Sequence, residues 1–201
     1  KSKMISVDIQ LNRDECVEYA TVDNAIVMYG QLKDGGGGDE GMKYFSKVTV
    51  NNVGGEVQYL DNKIVVRNAD KLTLIFSSAT NYKNENYVTF VDSLMNEAKS
   101  CNYVPLRKKH IKSYQELFNR VDVDFGEGIT ENHPIDDRLF DFQDEDDPQL
   151  AALYFQYGRY LFISSTREDL LPPNLQGLWA NTIQTPWNGD YHLNINVQMN
   201  H

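Results

Sequence analysis

The sequence predicts a β + α protein of more than one domain, in which a strand-rich first part is followed by helices. Residues 1 to about 82 contain short runs rich in β-branched and aromatic residues, and turn residues separate these runs. From about residue 87 the apolar residues recur at helical spacing instead. Hydrophobic residues make up 41% of the 201 residues, a normal share for a globular core, which argues against wholesale disorder.

The strand-rich part is predicted to belong to an antiparallel sandwich, because regularly spaced short strands joined by turns are typical of that architecture. The glycine-rich stretch "DGGGGDEG" at 34–41 is predicted to be a plain loop. Its spacing fits neither a Walker motif nor a dinucleotide-binding fingerprint, and no Lys-Ser/Thr pair follows it. The predicted strands are 5–11, 24–32, 44–50, 55–60, 63–68 and 71–80.

The part after residue 87 is predicted to contain helices at 87–101 and 105–123, an acidic loop at 126–149 and then a third helix. The spacing of the loop's carboxylates is not that of a calcium-binding EF-hand, so a solvated acidic segment is expected. Asp146 or Asp147 can cap the third helix, and Pro148 suits its first turn. The buried stripe of this helix is predicted to comprise Leu150, Leu153, Tyr154, Tyr157 and Leu161.

Charge and cysteine content narrow the class of protein. The net charge of −10 argues against non-specific binding to nucleic acid or to an anionic membrane, because such binding depends on cationic side chains. No apolar run approaches the roughly 20 residues that span a bilayer, so no membrane insertion is expected. The two cysteines, Cys16 and Cys101, have no Cys/His cluster around them, and no metal site or cofactor is predicted. Whether they form a disulfide is left open.

The last 32 residues, 170–201, combine prolines and glycines with the chain's two tryptophans, Trp179 and Trp187, and with many Asn and Gln residues. This composition excludes long regular structure and predicts an ordered loop. Amides can donate and accept hydrogen bonds, as vicinal hydroxyls do, and indole faces stack on the C–H face of a sugar. The segment is therefore either a carbohydrate-binding surface or a polar structural loop held by aromatic packing.

Polar and apolar residues alternate strictly in "YHLNINVQMNH", from Tyr191 to His201. Alternation with period two predicts an extended segment with His192, Asn194 and Asn196 on one face.

The residues around this segment suggest further roles. Candidate carboxylates near the polar face are Asp190, Glu168 and Asp169. Asn174 and Gln176 are candidate loop-fixing amides, and Asn-Gly at 188–189 is predicted to be a turn.

Three segments carry a resemblance to a known family: "LPPNLQGLW", "PWNGDYHLNINVQMN" and "DPQLAALYFQYGRYLFISS". They resemble the inverting α-L-fucosidases of glycoside hydrolase family ninety-five. The resemblance implies part of an antiparallel β super-sandwich, a helical linker and the opening of an α/α six-hairpin barrel. The implied bounds are 1–86 for the sandwich part, 87–133 for the linker and 134–201 for the truncated start of the catalytic barrel. The chain is accordingly expected to be a piece of a larger protein.

The resemblance also implies site residues. His192 would bind fucose hydroxyls, and Asn194 and Asn196 would position the attacking water together with an aspartate from later in the barrel. The general acid would be a glutamate, also from later in the barrel. Trp187 and Trp179 are expected either to shape the substrate pocket or to pack in the core beneath the barrel mouth. Asp190 is expected to be a structural or rim residue.

The implied activity is release of terminal α-L-fucose, α-1,2-linked to galactose, from a fucosylated oligosaccharide or glycan. The implied partner is the remainder of the catalytic barrel, and the implied location is periplasmic or secreted. A second hypothesis from a different class is a non-catalytic carbohydrate-binding or assembly module, which the sandwich and the Trp- and Asn-rich loop would also suit.

Overall fold

The computed structural model of the protein divides into two compact units, residues 1–106 and 107–201, and each is described by itself. The described residues are 3–33, 40–127, 133–144, 146–168, 170–178 and 180–200. Most of the glycine-rich loop predicted at 34–41 therefore lies outside them. Within the described residues, no helix combines the length and the apolar character needed to cross a bilayer.

Two antiparallel sheets form the body of the first unit, which confirms the predicted β + α class with strands first. One sheet has the strand order β1-β6-β5 and the other has the order β2-β3-β4-β7. The strands are β1 (Ile5–Gln10), β2 (Glu18–Val22), β3 (Ala25–Gln31), β4 (Lys43–Val53), β5 (Glu56–Leu60), β6 (Lys63–Ala69) and β7 (Lys71–Thr80).

The core of this unit draws aliphatic side chains from both sheets, which is the packing of a sandwich. β3 and β4 contribute from one sheet and β6 from the other. Buried hydroxyls in the same unit have partners: the Thr49 hydroxyl donates to the Asn24 carbonyl (2.7 Å), and the Ser46 and Ser78 hydroxyls are hydrogen-bonded (2.8 Å). The core cluster comprises Ile26, Val48, Val50, Ile64, Val66 and Ala69.

The helix α1 (Tyr87–Ser100) packs on β4 and β7. Val91 and Met95, one helical turn apart, are its buried residues. An ion pair between the Lys47 ammonium and the Asp92 carboxylate (2.7 Å) joins β4 to this helix. Every strand predicted for this part of the chain is present, as is the helix predicted at 87–101. The structure adds β2, which the sequence did not predict because its run "EYATV" is short and carries only one β-branched pair.

The second unit contains α3 (Ile135–Asp141) and α4 (Pro148–Ser165), and the chain reaches it through α2 (Tyr103–Phe118). The prediction of a continuous acidic loop at 126–149 is wrong where α3 forms. Acidic residues in a first helical turn face the positive end of the helix dipole, and α3 has Asp136 and Asp137 there. The acidic composition that indicated a loop therefore belongs in part to a helix start.

Asp147 organises the junction between α3 and α4. Its buried side chain caps α4 by accepting a hydrogen bond from the Leu150 N–H (3.1 Å). The same carboxylate accepts two hydrogen bonds from the Arg138 guanidinium, at 2.8 and 3.1 Å. These bonds hold the pKa of Arg138 above its usual value. The predicted cap at Asp147 and the predicted place of Pro148 are thus confirmed, with a bidentate ion pair added.

Arg159 joins α4 to the C-terminal end of α2. Its guanidinium donates to the carbonyls of Phe118 (2.9 Å), Val121 (3.0 Å) and Leu117 (3.3 Å), and it lies over the Phe118 ring. The last carbonyls of a helix lack intrahelical donors, and a cation there also suits the helix dipole. The Arg159 side chain therefore satisfies carbonyls at the C-terminal end of α2 and holds α4 against it.

The predicted buried stripe of α4 is wrong for most of its members. Leu150 is buried, but Leu153, Tyr154, Tyr157 and Leu161 are exposed. Ala152 and Ile163 are the other buried residues of this helix. At 3.6 residues per turn, Ala152 and Ile163 lie on the side of the helix opposite to the predicted stripe, so helical spacing identified an apolar face but not the face on which these two residues are buried.

We expect Asp147→Ala to destabilise the second unit, because α4 loses its cap and Arg138 keeps a charge with no partner. The lost cap alone costs about 1 kcal/mol, and the unpaired guanidinium adds to this. Thermal unfolding followed by far-UV circular dichroism measures the change. Asp147→Asn keeps the cap and removes the charge, so it separates the two effects, and Asp146→Ala at the exposed neighbour is the control. Equal stability of the Asp147→Ala and Asp146→Ala proteins would contradict this role.

We expect the pairing of β1 with β6 to weaken in acid through Asp8. Hydrogen bonds from Arg67 and Lys63 hold the pKa of Asp8 below its ordinary value of 3.8. The ionised form therefore stabilises the folded state above pH 3.8, and this contribution is lost as the pH falls through the lowered pKa. Asp8→Asn should remove that part of the pH dependence of unfolding. An unchanged acid limb in the variant would show that the exposed pair has no effect.

Candidate active site

The candidate site is built from two loops after α4 that hydrogen bonds hold together. The Leu175 N–H donates to the Asp190 carbonyl (3.2 Å), and the Tyr191 hydroxyl donates to the Pro172 carbonyl (3.0 Å). Within the first loop, the Asn174 side-chain oxygen accepts from the Gln176 N–H (2.9 Å), which confirms Asn174 as a loop-fixing amide. A loop without sheet or helix thus obtains its order from specific polar bonds.

The second loop reverses direction in a left-handed turn, Pro186–Gly189. Trp187 (φ 49°), Asn188 (φ 54°) and Gly189 (φ 64°) lie in the left-handed region in succession. This region costs about 1–2 kcal/mol for a residue with a side chain, so the loop must hold Trp187 and Asn188 there. The predicted turn at 188–189 is confirmed, and its left-handed residues begin one residue earlier, at Trp187.

Hydrogen bonds on both sides stabilise this turn. The Asn188 N–H donates to the Thr185 carbonyl (3.1 Å), and the Asp190 N–H donates to the Trp187 carbonyl (3.0 Å). The Gln184 side-chain amide donates to the Asn188 side-chain oxygen (2.5 Å). Gly189 is buried, and a Cβ at this position would lie 3.0 Å from the Asn174 amide nitrogen. The turn therefore needs glycine here both for its backbone angle and for the close approach of the first loop.

The prediction that Tyr191–His201 is extended is wrong for residues 193–200. Residues 193–195 form a turn and Asn196–Asn200 form the short helix α5. The Met199 N–H donates to the Ile195 carbonyl (2.9 Å) and the Val197 N–H donates to the His192 carbonyl (3.2 Å). An alternating segment becomes a strand when a neighbouring strand takes its backbone bonds. Here the bonds close locally instead.

These local hydrogen bonds change the exposure of the polar residues that were predicted to share one face. His192 and Asn196 are half-buried, Asn194 is exposed in the turn, and Leu193 and Met199 are exposed rather than covered. The single extended face that the alternation predicted is therefore absent. The roles assigned to His192, Asn194 and Asn196 stay predictions.

His192 has an unusual environment. Its Nε2 atom is enclosed and has no hydrogen-bond partner among the described residues. The Asp190 Oδ2 atom lies 3.8 Å from Nε2, which is longer than a hydrogen bond. The imidazole as a whole keeps 37% of its side-chain surface exposed. The structure thus brings His192 together with Asp190, which was predicted as a candidate carboxylate from the sequence and as a structural or rim residue from the resemblance.

The remaining candidate residues are dispersed. Trp187 is 72% exposed on the left-handed turn. Glu168 lines a separate cavity of about 690 Å³, formed by residues of 113–121 and 159–168. Trp179 and Asp169 lie outside the described residues. No group of three or more His, Cys, Asp or Glu residues in the described part of the chain is arranged to hold a metal ion.

Comparisons with known proteins match almost the whole chain. The model of the glycosyl hydrolase family 95 catalytic domain matches residues 102–201, which include every candidate site residue. The model of the glycosyl hydrolase family 65 N-terminal domain matches residues 1–85. The chain belongs to glycoside hydrolase family 95. The range matched by the catalytic-domain model, residues 102–201, includes the left-handed turn and His192.

Individual relatives agree with this assignment. The chain is 37% identical to a probable alpha-fucosidase A of Aspergillus niger, over 89% of this chain and 24% of that protein. It is 38% identical to alpha-L-fucosidase 2 of Arabidopsis thaliana, over 81% of this chain and 21% of that protein. The chain therefore spans about a quarter of the length of these relatives.

Two glycines with nearly equal backbone angles test the crowding at the turn. Gly189 (φ 64°) faces Asn174, whereas Gly177 (φ 66°) has open space where a Cβ would lie. We expect Gly177→Ala to cost about 1 kcal/mol through backbone angle alone and Gly189→Ala to cost more. Hydrogen exchange of the Leu175 amide reports opening of the loop pair, and it should accelerate more in Gly189→Ala. Equal acceleration in the two variants would rule out the close approach.

Proposed function

We propose that the protein containing this chain is an inverting α-L-fucosidase that releases terminal fucose, α-1,2-linked to galactose, from oligosaccharides. The observation that carries the proposal is the 37–38% identity to proteins named alpha-fucosidase over more than four-fifths of this chain. The match of the family 95 catalytic domain to residues 102–201 supports it further.

His192, Asn194 and Asn196 are the residues proposed to meet the substrate. His192 binds a hydroxyl group of fucose, and the two amides orient the water that attacks the anomeric carbon. An amide oxygen accepts a hydrogen bond from water but does not usefully accept its proton, so a carboxylate has to act as the base. That carboxylate and the general acid are proposed to come from other parts of the catalytic barrel. Inversion requires the acid and the activated water on opposite faces of the sugar ring.

The local conformation supports a joint role for His192 and Asn196. The hydrogen bond from the Val197 N–H to the His192 carbonyl closes the turn that precedes α5. His192 and Asn196 therefore lie about one turn apart along the chain, and both are half-buried. Trp187, which is largely exposed on the preceding turn, offers an indole face for stacking against a sugar. Trp179 is proposed to shape the same pocket.

An apolar groove supports the proposal that further helices of the barrel pack on this chain. The groove lies along α3 and α4 and has a volume of about 640 Å³. Apolar surface of this kind marks a site of packing or association. Helices from the remainder of the family's barrel are proposed to cover it. The groove is lined by Ile135, Leu139, Phe142, Leu150, Ala151, Leu153, Tyr154 and Tyr157.

The domain bounds and location belong to the same proposal. Residues 1–86 are proposed as part of the N-terminal sandwich domain, 87–133 as the linker and 134–201 as the start of the catalytic barrel. A periplasmic or secreted location would place the enzyme where fucosylated glycans are accessible.

We expect Asn196→Ala in the whole protein to lower turnover of a 2′-fucosylated oligosaccharide by about 10²–10⁴-fold, because the attacking water loses its orientation. Released fucose is measured by chromatography, and its anomeric form is read by proton NMR immediately after cleavage. Asn181→Ala is the control, since it removes an exposed amide from the loop that precedes the left-handed turn.

The outcomes separate the two classes of function. An undiminished rate in Asn196→Ala would remove the water-positioning role, and retention of configuration would remove the inverting mechanism. Binding of the oligosaccharide without any hydrolysis by the whole protein would favour the carbohydrate-binding module instead.

A further inference from the structure

Among the residues that the structure describes, the enclosed Nε2 atom of His192 has no hydrogen-bond partner. Leaving a buried polar nitrogen without a partner is costly, so a stable protein supplies one. The Asp190 carboxylate lies 3.8 Å away, and an N–H···O bond of about 2.9 Å needs an approach of only about 1 Å. The Asp190 side chain is 59% exposed, so it is free to rotate by this amount.

The backbone of Asp190 is fixed, although its side chain can rotate. Its N–H donates to the Trp187 carbonyl (3.0 Å), and its carbonyl accepts from the Leu175 N–H (3.2 Å). The first bond belongs to the left-handed turn and the second ties the two loops together. Together they hold the carboxylate beside the imidazole. The strained turn therefore positions the carboxylate that faces His192, three residues after Gly189.

A carboxylate beside Nε2 determines where a neutral imidazole carries its proton. An ionised carboxylate only accepts hydrogen bonds, and a neutral imidazole has one N–H and one lone pair. The ring therefore carries its proton on Nε2 when it pairs with Asp190. Its lone pair is then on Nδ1, and Nδ1 is not among the enclosed nitrogen atoms without a partner. The exposed edge of the ring becomes a hydrogen-bond acceptor.

We propose that Asp190 is a positioning residue that fixes His192 in the Nε2–H tautomer, so that Nδ1 accepts a hydrogen bond from a sugar hydroxyl. The second half of this statement rests on the proposed function, whereas the first half does not. The consequence for recognition is specific. A hydroxyl that donates to His192 keeps its oxygen lone pairs available for the amide N–H groups of neighbouring asparagines.

Nitrogen NMR of the whole protein labelled with ¹⁵N-histidine tests the tautomer directly. At alkaline pH, where the imidazole is neutral, Nε2 of His192 should give a protonated, pyrrole-type signal and Nδ1 a pyridine-type signal. The signals are assigned as those that disappear in His192→Gln. Asp190→Ala should give a mixture of tautomers. Asp190→Asn should shift the population toward Nδ1–H, because its amide can donate to Nε2. Asp144→Ala, at an exposed aspartate remote in sequence, should leave the signals unchanged.

The activity of the same variants provides a second, separate measurement. Asp190→Ala should lower kcat/KM for the fucosylated substrate by about 10²-fold, as expected when a substrate-binding group is misaligned. An Nε2–H signal that persists unchanged in both Asp190 variants would overturn the proposal, whatever the activity. Absence of hydrolysis by the unmodified protein would overturn the proposed function while the NMR result still decides the role of Asp190. The Leu175 amide exchange rate verifies that the loops remain folded in each variant.

Discussion

The candidate site depends on a backbone constraint: Trp187, Asn188 and Gly189 adopt left-handed angles in succession. This turn reverses the second loop and brings the Asp190 carbonyl to the Leu175 N–H. Every later residue of the site, from Asp190 to Asn196, takes its position from that reversal. Strain of this kind persists only where surrounding bonds determine it, and here those bonds come from Thr185, Gln184 and the first loop.

Two polar side chains, Asp147 and Arg159, fix the position of α4, the helix that precedes the two loops of the candidate site. Asp147 caps α4 and binds Arg138, and Arg159 joins the same helix to the end of α2. Each group provides several hydrogen bonds from one side chain, so few residues fix the position of the whole helix. The buried carboxylate has its charge satisfied by the guanidinium, which is the condition under which a buried charge is tolerated.

The elements that could be predicted from the sequence are those whose signals are local. The strands of the sandwich other than β2, the start of α4 at Asp147 and the turn at 188–189 follow from β-branched runs, capping chemistry and an Asn-Gly pair. α3 was missed because its acidic residues also suit a solvated loop. The segment from residue 193 was predicted wrongly because alternation specifies a strand only if another strand accepts its hydrogen bonds. Residues distant in the chain decide whether such a partner strand exists and how much of the aromatic face of α4 is covered. The approach of Asp190 to His192 depends on backbone angles that composition does not encode.

The site itself shows the same division. Residue types indicated the chemistry, since neutral amides, an imidazole and an indole suit hydroxyl groups better than charges do. Their arrangement was accessible only from the structure, because it is produced by a turn in which two residues with side chains adopt disfavoured angles. The class of protein to which these residues belong came from the family match, because neither local signals nor geometry contain it.

The pairing of β1 with β6 has a consequence for synthesis on the ribosome. Asp8 lies opposite Val65 and Ile9 opposite Ile64, so the first strand has no partner until the sixth has been made. At bacterial or eukaryotic elongation rates, the roughly 60 intervening residues take about 3–12 s to add. During that interval Ile5 and Ile9 remain uncovered on the nascent chain, within reach of chaperones or of other nascent copies. Pairing of β1 with β6 therefore waits for translation of the segment between them.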